Sequence, residues 1–193
     1  MPETAEVVVV GGGIGGGALA TALARAGVSA LVLEKSIQHV DRVRGEWLSP
    51  WGVAETMRLG LYESLLGAGA HHLGEHVGFG DDVDEATARG HALKFAALEE
   101  AGLKPPLCMR HPDMCDLLNA TAVESGATVL RNVSDVTVEP GNPPQVNFRH
   151  EGRARQLKPR LVVGADGRNS VVRGQAGIRL HRDPTHHLMT GML

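Results

Sequence analysis

Residues 7–10 are four consecutive valines, the uninterrupted β-branched run of a strand buried on both faces of a parallel sheet. The strand is expected to end at Gly11. From Ile14 onward Ala18, Leu19, Ala22, Leu23 and Ala26 recur at helical spacing, and Gly27 is placed to end that helix. Residues 30–34 read as a second strand. The segment 7–34 is therefore a strand–helix–strand unit of the length a right-handed parallel crossover needs.

The next hundred residues are less periodic. Residues 42–52 form a loop rich in turn residues, and 53–61 predict a short helix with Gly60 near its end. Residues 71–98 mix His, Gly and Asp with short apolar runs and read as strands joined by loops. A better helix covers 112–125: Pro112 suits its first turn, Asp113 its positive end, Met114, Leu117, Leu118 and Thr121 share a face, and Gly126 stops it. Strands follow at 127–131, 133–138, 145–150 and 154–157, with a turn at 139–144. The pattern predicts an α/β fold with a parallel central sheet and an antiparallel insertion around 132–157.

Composition narrows the function classes. With 42% apolar residues the chain can build a sizeable core, and its net charge of −3, without any Lys/Arg run, argues against nucleic acid or an anionic membrane as partner. The N-terminus lacks the basic start and apolar length of a signal peptide or membrane span, so the expected compartment is the cytoplasm. Cys108 and Cys115, in no metal-ligand spacing, are expected to be free thiols. His71, His72, His76, His186 and His187 lack the spacing of a zinc site and read as surface or partly buried side chains, so no metal is expected. Hydrolase and phosphoryl-transfer motifs are absent from the sequence.

The candidate chemistry begins where the first strand ends. Gly11-x-Gly13-x-x-Gly16 opens the helix, and Glu34 closes the second strand at the spacing of roughly 20 residues that a dinucleotide-binding, Rossmann-like unit requires. The first glycine permits a tight turn, the second lets backbone approach a pyrophosphate, and the third lets helix and strand pack closely. The helix N-terminus offers N–H groups to the phosphates, and the acid accepts from an adenosine ribose. Much later, the apolar run 161–163 leads into Gly164-Ala165-Asp166-Gly167 and a helical turn, placing one carboxylate at a strand end beside backbone that a ligand can approach.

These two segments together resemble the aromatic-hydroxylase branch of the flavoprotein monooxygenases, the para-hydroxybenzoate hydroxylase type. Gly11-Gly12-Gly13-Ile14-Gly15-Gly16 matches the family's N-terminal fingerprint and Gly164-Ala165-Asp166-Gly167 its Asp-Gly motif. Arg44 with Pro50 and Gly52 looks like its arginine loop, and Met109-Arg110 before Leu117-Leu118 looks like its second flavin-contacting position. Arg44-Gly45-Glu46 with Leu48 and Pro50 also looks like the corresponding loop of squalene epoxidases.

The resemblance implies an FAD-binding domain over 1–70 and 105–178, with segments of a substrate domain at 71–104 and 179–193. It implies that Gly11, Gly13, Ile14, Gly15 and Gly16 hold the FAD pyrophosphate and Glu34 the ribose. Arg44 and Arg110 would contact phosphate or ribityl oxygens, and Asp166 and Gly167 would support FAD and NAD(P)H binding. Lys35 reads equally as an adenosine contact or a solvated charge; Arg44 could be a loop charge, and Arg110 could pair with Asp113 or Glu55. The implied reaction is NAD(P)H reduction of FAD and transfer of one atom of O2 to a small organic substrate through a flavin C4a-hydroperoxide. A Gly-Asp motif that the family places further on lies beyond residue 193, so this stretch alone is expected to be inactive or uncoupled. A flavin reductase or halogenase, an NAD-dependent dehydrogenase and a non-catalytic FAD-binding chain remain alternatives.

Overall fold

The structure is a computed structural model that describes residues 4–41 and 47–186. In chain order it begins with β1 (Val7–Val10), α1 (Ile14–Arg25), β2 (Ala30–Leu33), β3 (Trp47–Leu48), α2 (Pro50–Arg58) and α3 (Tyr62–Gly67). Then come β4 (His71–His72), β5 (Glu75–His76), α4 (Glu85–Gly90), β6 (Leu93–Lys94), α5 (Ala96–Glu100) and β7 (Leu107–Cys108). The rest is α6 (His111–Glu124), β8 (Thr128–Leu130), β9 (Ser134–Glu139), β10 (Gln145–His150), β11 (Arg153–Leu157), β12 (Leu161–Gly164) and α7 (Val171–Gln175). The chain divides into two compact units, Met1–Val43 with Pro112–Leu193, and Arg44–His111.

The first unit is built on a parallel sheet in the order β12-β1-β2-β8. Its strands are short, and β1 and β2 are buried at every position, which is why their sequences show no polar alternation. Successive side chains still point to opposite faces. Val7, Val9, Ala30 and Val32 pack with Ala20 of α1 and Ala122 of α6, whereas Val8, Val10, Leu31 and Leu33 pack with Val138, Val146, Phe148 and Leu157 of the antiparallel sheet β11-β10-β9. Helices thus cover one face and a second sheet the other. The expected strand at 133–138 runs one residue later, because Asn132 and Asp135 adopt positive φ and the β9–β10 ladder shifts register between Asn147 and Arg149, as at a bulge.

In the second unit β3, β7 and β4 form one small sheet and β5 with β6 another. The helix expected at 53–61 starts earlier, at Pro50, because proline fits the first helical position and Ser49 supplies the extended residue before it. α3, which is not among the expected elements, follows at once. The strands expected within 71–98 are only two-residue pairs, and two short helices intervene; Asp84 starts α4 by accepting from the Thr87 amide at 2.9 Å. His72 is held by its neighbours: its Nδ1 donates to the Pro105 carbonyl at 2.9 Å, leaving Nε2 to accept from the Tyr62 hydroxyl at 2.7 Å. The Trp47 and His76 rings stack with centroids 6.2 Å apart. The end of the expected substrate-domain segment 179–193, from residue 187 onward, lies outside the described residues. No helix among the described residues is long and apolar enough to cross a membrane.

Candidate functional site

From β1 the chain crosses through α1 to β2 on one side, while β12 lies against β1 on the other. The strand order reverses at β1, and open α/β sheets bind ligands in the crevice outside the carboxyl ends of the strands at such a point. The candidate residues of the first unit lie there. Gly11 follows β1, Glu34 follows β2, and Ala165 to Gly167 follow β12.

Gly11 has φ +104, and a Cβ added to it would run into the Ala165 carbonyl and lie 2.9 Å from the Asp166 Cα. The glycine loop and the Asp-Gly segment, remote in sequence, are thus in backbone contact. Gly16 faces inward too, since its Cβ would overlap the Gly11 carbonyl oxygen. Gly13 and Gly15 differ: among the described residues nothing lies within 4 Å of a Cβ at either. Two glycines therefore serve internal packing, and two leave an open surface. Gly13 is the N-cap of α1 without a side-chain cap, Ile14 opens the helix, and the first turn carries no acidic residue. A helix start of this kind is suited to an anion, because its first N–H groups have no intrahelical acceptor.

Glu34 is buried, at 7% exposure. Its Oε2 accepts from the Gly12 amide at 2.6 Å and its Oε1 from the Ser36 amide at 2.8 Å. Burial pushes the carboxyl pKa up, but these amide hydrogen bonds, with help from nearby His39, outweigh it and hold the group below its ordinary value. A carboxylate oxygen accepts more than one hydrogen bond, so the anchored acid retains capacity for ribose hydroxyls. Lys35, next in sequence, is exposed.

Asp166 turns toward α7. It accepts from the Ser170 hydroxyl at 2.6 Å and from the amides of Val171 and Val172 at 2.6 and 3.1 Å, while Gly167 holds φ +84. Burial again raises the pKa, and the Ser170 and amide hydrogen bonds overcome it. The carboxylate thus fixes the loop that contacts Gly11. Asp166→Ala is expected to cost about 1 kcal/mol, as loss of a helix-capping acceptor does. Because Glu34 and Asp166 both have depressed pKa values, the stability they contribute is complete above the ordinary carboxylate range and is lost as pH falls from that range through their lower folded-state values. Thermal unfolding from about pH 6 to 3 should show a falling Tm, with a shallower fall in Asp166→Ala; equal slopes would contradict the assignment.

Sequence reasoning missed two features. Asn119 of α6 is buried and donates from Nδ2 to the Gly12 carbonyl at 2.6 Å. Asp116 accepts from His39 at 2.8 Å and from Arg131 at 2.7 Å, forming a charged cluster beyond the ends of β2 and β8. Of the two arginines proposed for the flavin, Arg44 lies outside the described residues, and Arg110 is an exposed residue of the second unit between β7 and α6. Glu55, one suggested partner for Arg110, binds Arg58 at 2.9 Å.

The chain matches the family described as FAD binding domain over residues 4–192 and belongs to that family, whose cofactor is FAD. The residues of the first unit suit that cofactor: an uncapped helix start behind an open pair of glycines accommodates a diphosphate, and an anchored acid lies at the end of the neighbouring strand. Flavoprotein monooxygenases are among its relatives and structural neighbours. Squalene monooxygenase of Rattus norvegicus is 39% identical over 186 residues, covering 91% of this chain and 32% of that protein. Menaquinone reductase of Mycobacterium tuberculosis (strain ATCC 25618 / H37Rv) is 29% identical over 184 residues, covering 95% of this chain and 43% of that one. Among solved structures CabE, an aromatic hydroxylase from angucycline biosynthesis, superposes with a TM-score of 0.70 at 28% identity over 90% of this chain and 33% of its own. The chain thus spans a third to less than half of the length of these relatives.

Proposed function

We propose that the protein carries out an FAD-dependent, NAD(P)H-consuming oxygenation, a hydroxylation or epoxidation, of a small organic substrate. The observation that carries this reading is the packing of Gly11 on Ala165 and Asp166, which unites the fingerprint loop and the Asp-Gly segment at one end of the sheet. Relatives named as a squalene monooxygenase and an aromatic hydroxylase support it. FAD, when bound, would supply the redox chemistry, with NAD(P)H as the reductant and O2 as the oxidant. The chain's own residues bind and orient. The amides at Gly13, Ile14 and Gly15 would face the diphosphate, Glu34 would accept from the ribose, and Asp166 with Gly167 would shape the loop beside them. Lys35 is assigned to the adenosine half of the cofactor, Arg44 and Arg110 to its phosphate or ribityl oxygens, and the segments 71–104 and 179–193 to the substrate side.

A second reading, reduction without oxygen transfer, is favoured by the similarity to a menaquinone reductase over nearly the whole chain. The test supplies the protein with FAD, NADPH, 18O2 and panels of phenolic, olefinic and quinone substrates. Residues 1–193 alone are expected to release peroxide or nothing, and the same chain extended to the length of its relatives is expected to give one 18O atom in the product. A reduced, unlabelled product formed equally well without oxygen would replace oxygenation with the second reading.

A further inference from the structure

Six of the seven residues from Gly11 to Gly17 are glycine, and the fingerprint uses only Gly11, Gly13 and Gly16. Two of the others are explained by α6. A Cβ on Gly17 would lie 3.0 Å from the Leu118 Cβ and 3.3 Å from the Asn119 amide nitrogen, and one on Gly12 would lie 3.0 Å from the Asn119 Oδ1. The glycine loop is therefore seated directly on α6.

We infer that Asn119 is a positioning residue for the cofactor: it holds the Gly12–Gly13 peptide in the one orientation that presents an N–H, and not a carbonyl, to the diphosphate. This rests on the reading of the glycine loop as the diphosphate site. The Asn119 Nδ2 donates to both the Gly12 carbonyl and the Cys115 carbonyl at 2.6 Å, so its two hydrogens have partners. In a trans peptide the C=O of one residue and the N–H of the next point in opposite directions. Drawing the Gly12 carbonyl toward α6 therefore turns the Gly13 N–H away from α6. The preceding peptide is fixed as well, because the Gly12 N–H donates to Glu34 at 2.6 Å. Without these two side chains a Gly-Gly peptide turns over readily, since glycine populates both signs of φ. A flipped peptide would aim a carbonyl at an anion.

A packing role alone does not account for asparagine here. The residue is 3% exposed, and its Oδ1 is buried without a hydrogen-bond partner among the described residues, a cost that an apolar side chain would not carry. The neighbouring helix positions Met114, Cys115, Leu118 and Ala122 show what packing selects.

The test uses the protein freed of flavin, with Asn119→Leu and Asn119→Ala, and measures thermal unfolding together with calorimetric binding of FAD, ADP and adenosine. Asn119→Leu should unfold no lower than the parent yet bind ADP and FAD about tenfold more weakly, with adenosine affinity unchanged because adenosine carries no phosphate for the loop. If Asn119→Leu does not fold, Asn119→Ala carries the same comparison, with loss confined to the phosphate-bearing ligands. Equal losses for all three ligands, or none for ADP, would overturn the inference. A parent protein that binds adenosine and ADP equally would instead overturn the reading of the loop on which it rests.

Discussion

Gly16→Ala should abolish measurable FAD binding and lower stability by about 1–3 kcal/mol or more, the cost of forcing a methyl group into packed backbone. Its Cβ would overlap the Gly11 carbonyl oxygen, and Gly11 is itself wedged against Ala165 and Asp166. None of these is a flexible side-chain end that could swing aside. The informative comparison is Gly15→Ala. Gly15 lies in the first turn of α1 with open space around it, so alanine there should leave stability unchanged or raise it by up to about 1 kcal/mol. The same methyl occupies the surface assigned to the diphosphate, so FAD affinity should fall. Chemical denaturation and flavin titration of the two variants check this. A Gly15→Ala protein with undiminished flavin affinity would place the ligand elsewhere.

Glu34→Ala should weaken FAD binding by about 1–3 kcal/mol and lower stability by a similar amount. The two losses have different origins. Flavin affinity falls because the ribose acceptor is gone, and stability falls because the amides of Gly12 and Ser36 lose their acceptors. Glu34→Gln preserves the shape but has one acceptor oxygen where two are used, so it should fall between alanine and the parent on both measures. Unchanged flavin affinity in Glu34→Ala would reduce the acid to a loop anchor.

The features legible in the sequence are those whose chemistry sits in contiguous residues with a period. The valine run, the glycine fingerprint and the strand-end acid each declared themselves because a buried parallel strand, a phosphate turn and a crossover helix impose fixed local spacings. Asn119 did not, because its partner Gly12 is 107 residues away and no local rule connects them. A trace existed: Cys115 and Asn119 are one helical turn apart on the buried side of α6, and a polar residue in such a stripe needs a partner. The second unit was read poorly for a different reason. α3, α4 and α5 are only five or six residues long, too short for a 3.6-residue period to emerge, and its strands are two-residue pairs. The Asp-Gly segment was legible as a strand end, but its contact with Gly11 is a property of the sheet order and not of its own sequence.

On the proposed reading, the carboxyl end of this sheet holds the adenosine diphosphate half of FAD in a flavin enzyme and not the same half of a nicotinamide dinucleotide in a dehydrogenase. The most direct measurement is calorimetric titration of the flavin-free protein with FAD and, separately, with NAD and NADP. Tighter binding of FAD than of either nicotinamide, with a heat signal that disappears in Gly16→Ala, is the predicted result. Tighter binding of NAD or NADP than of FAD would contradict it.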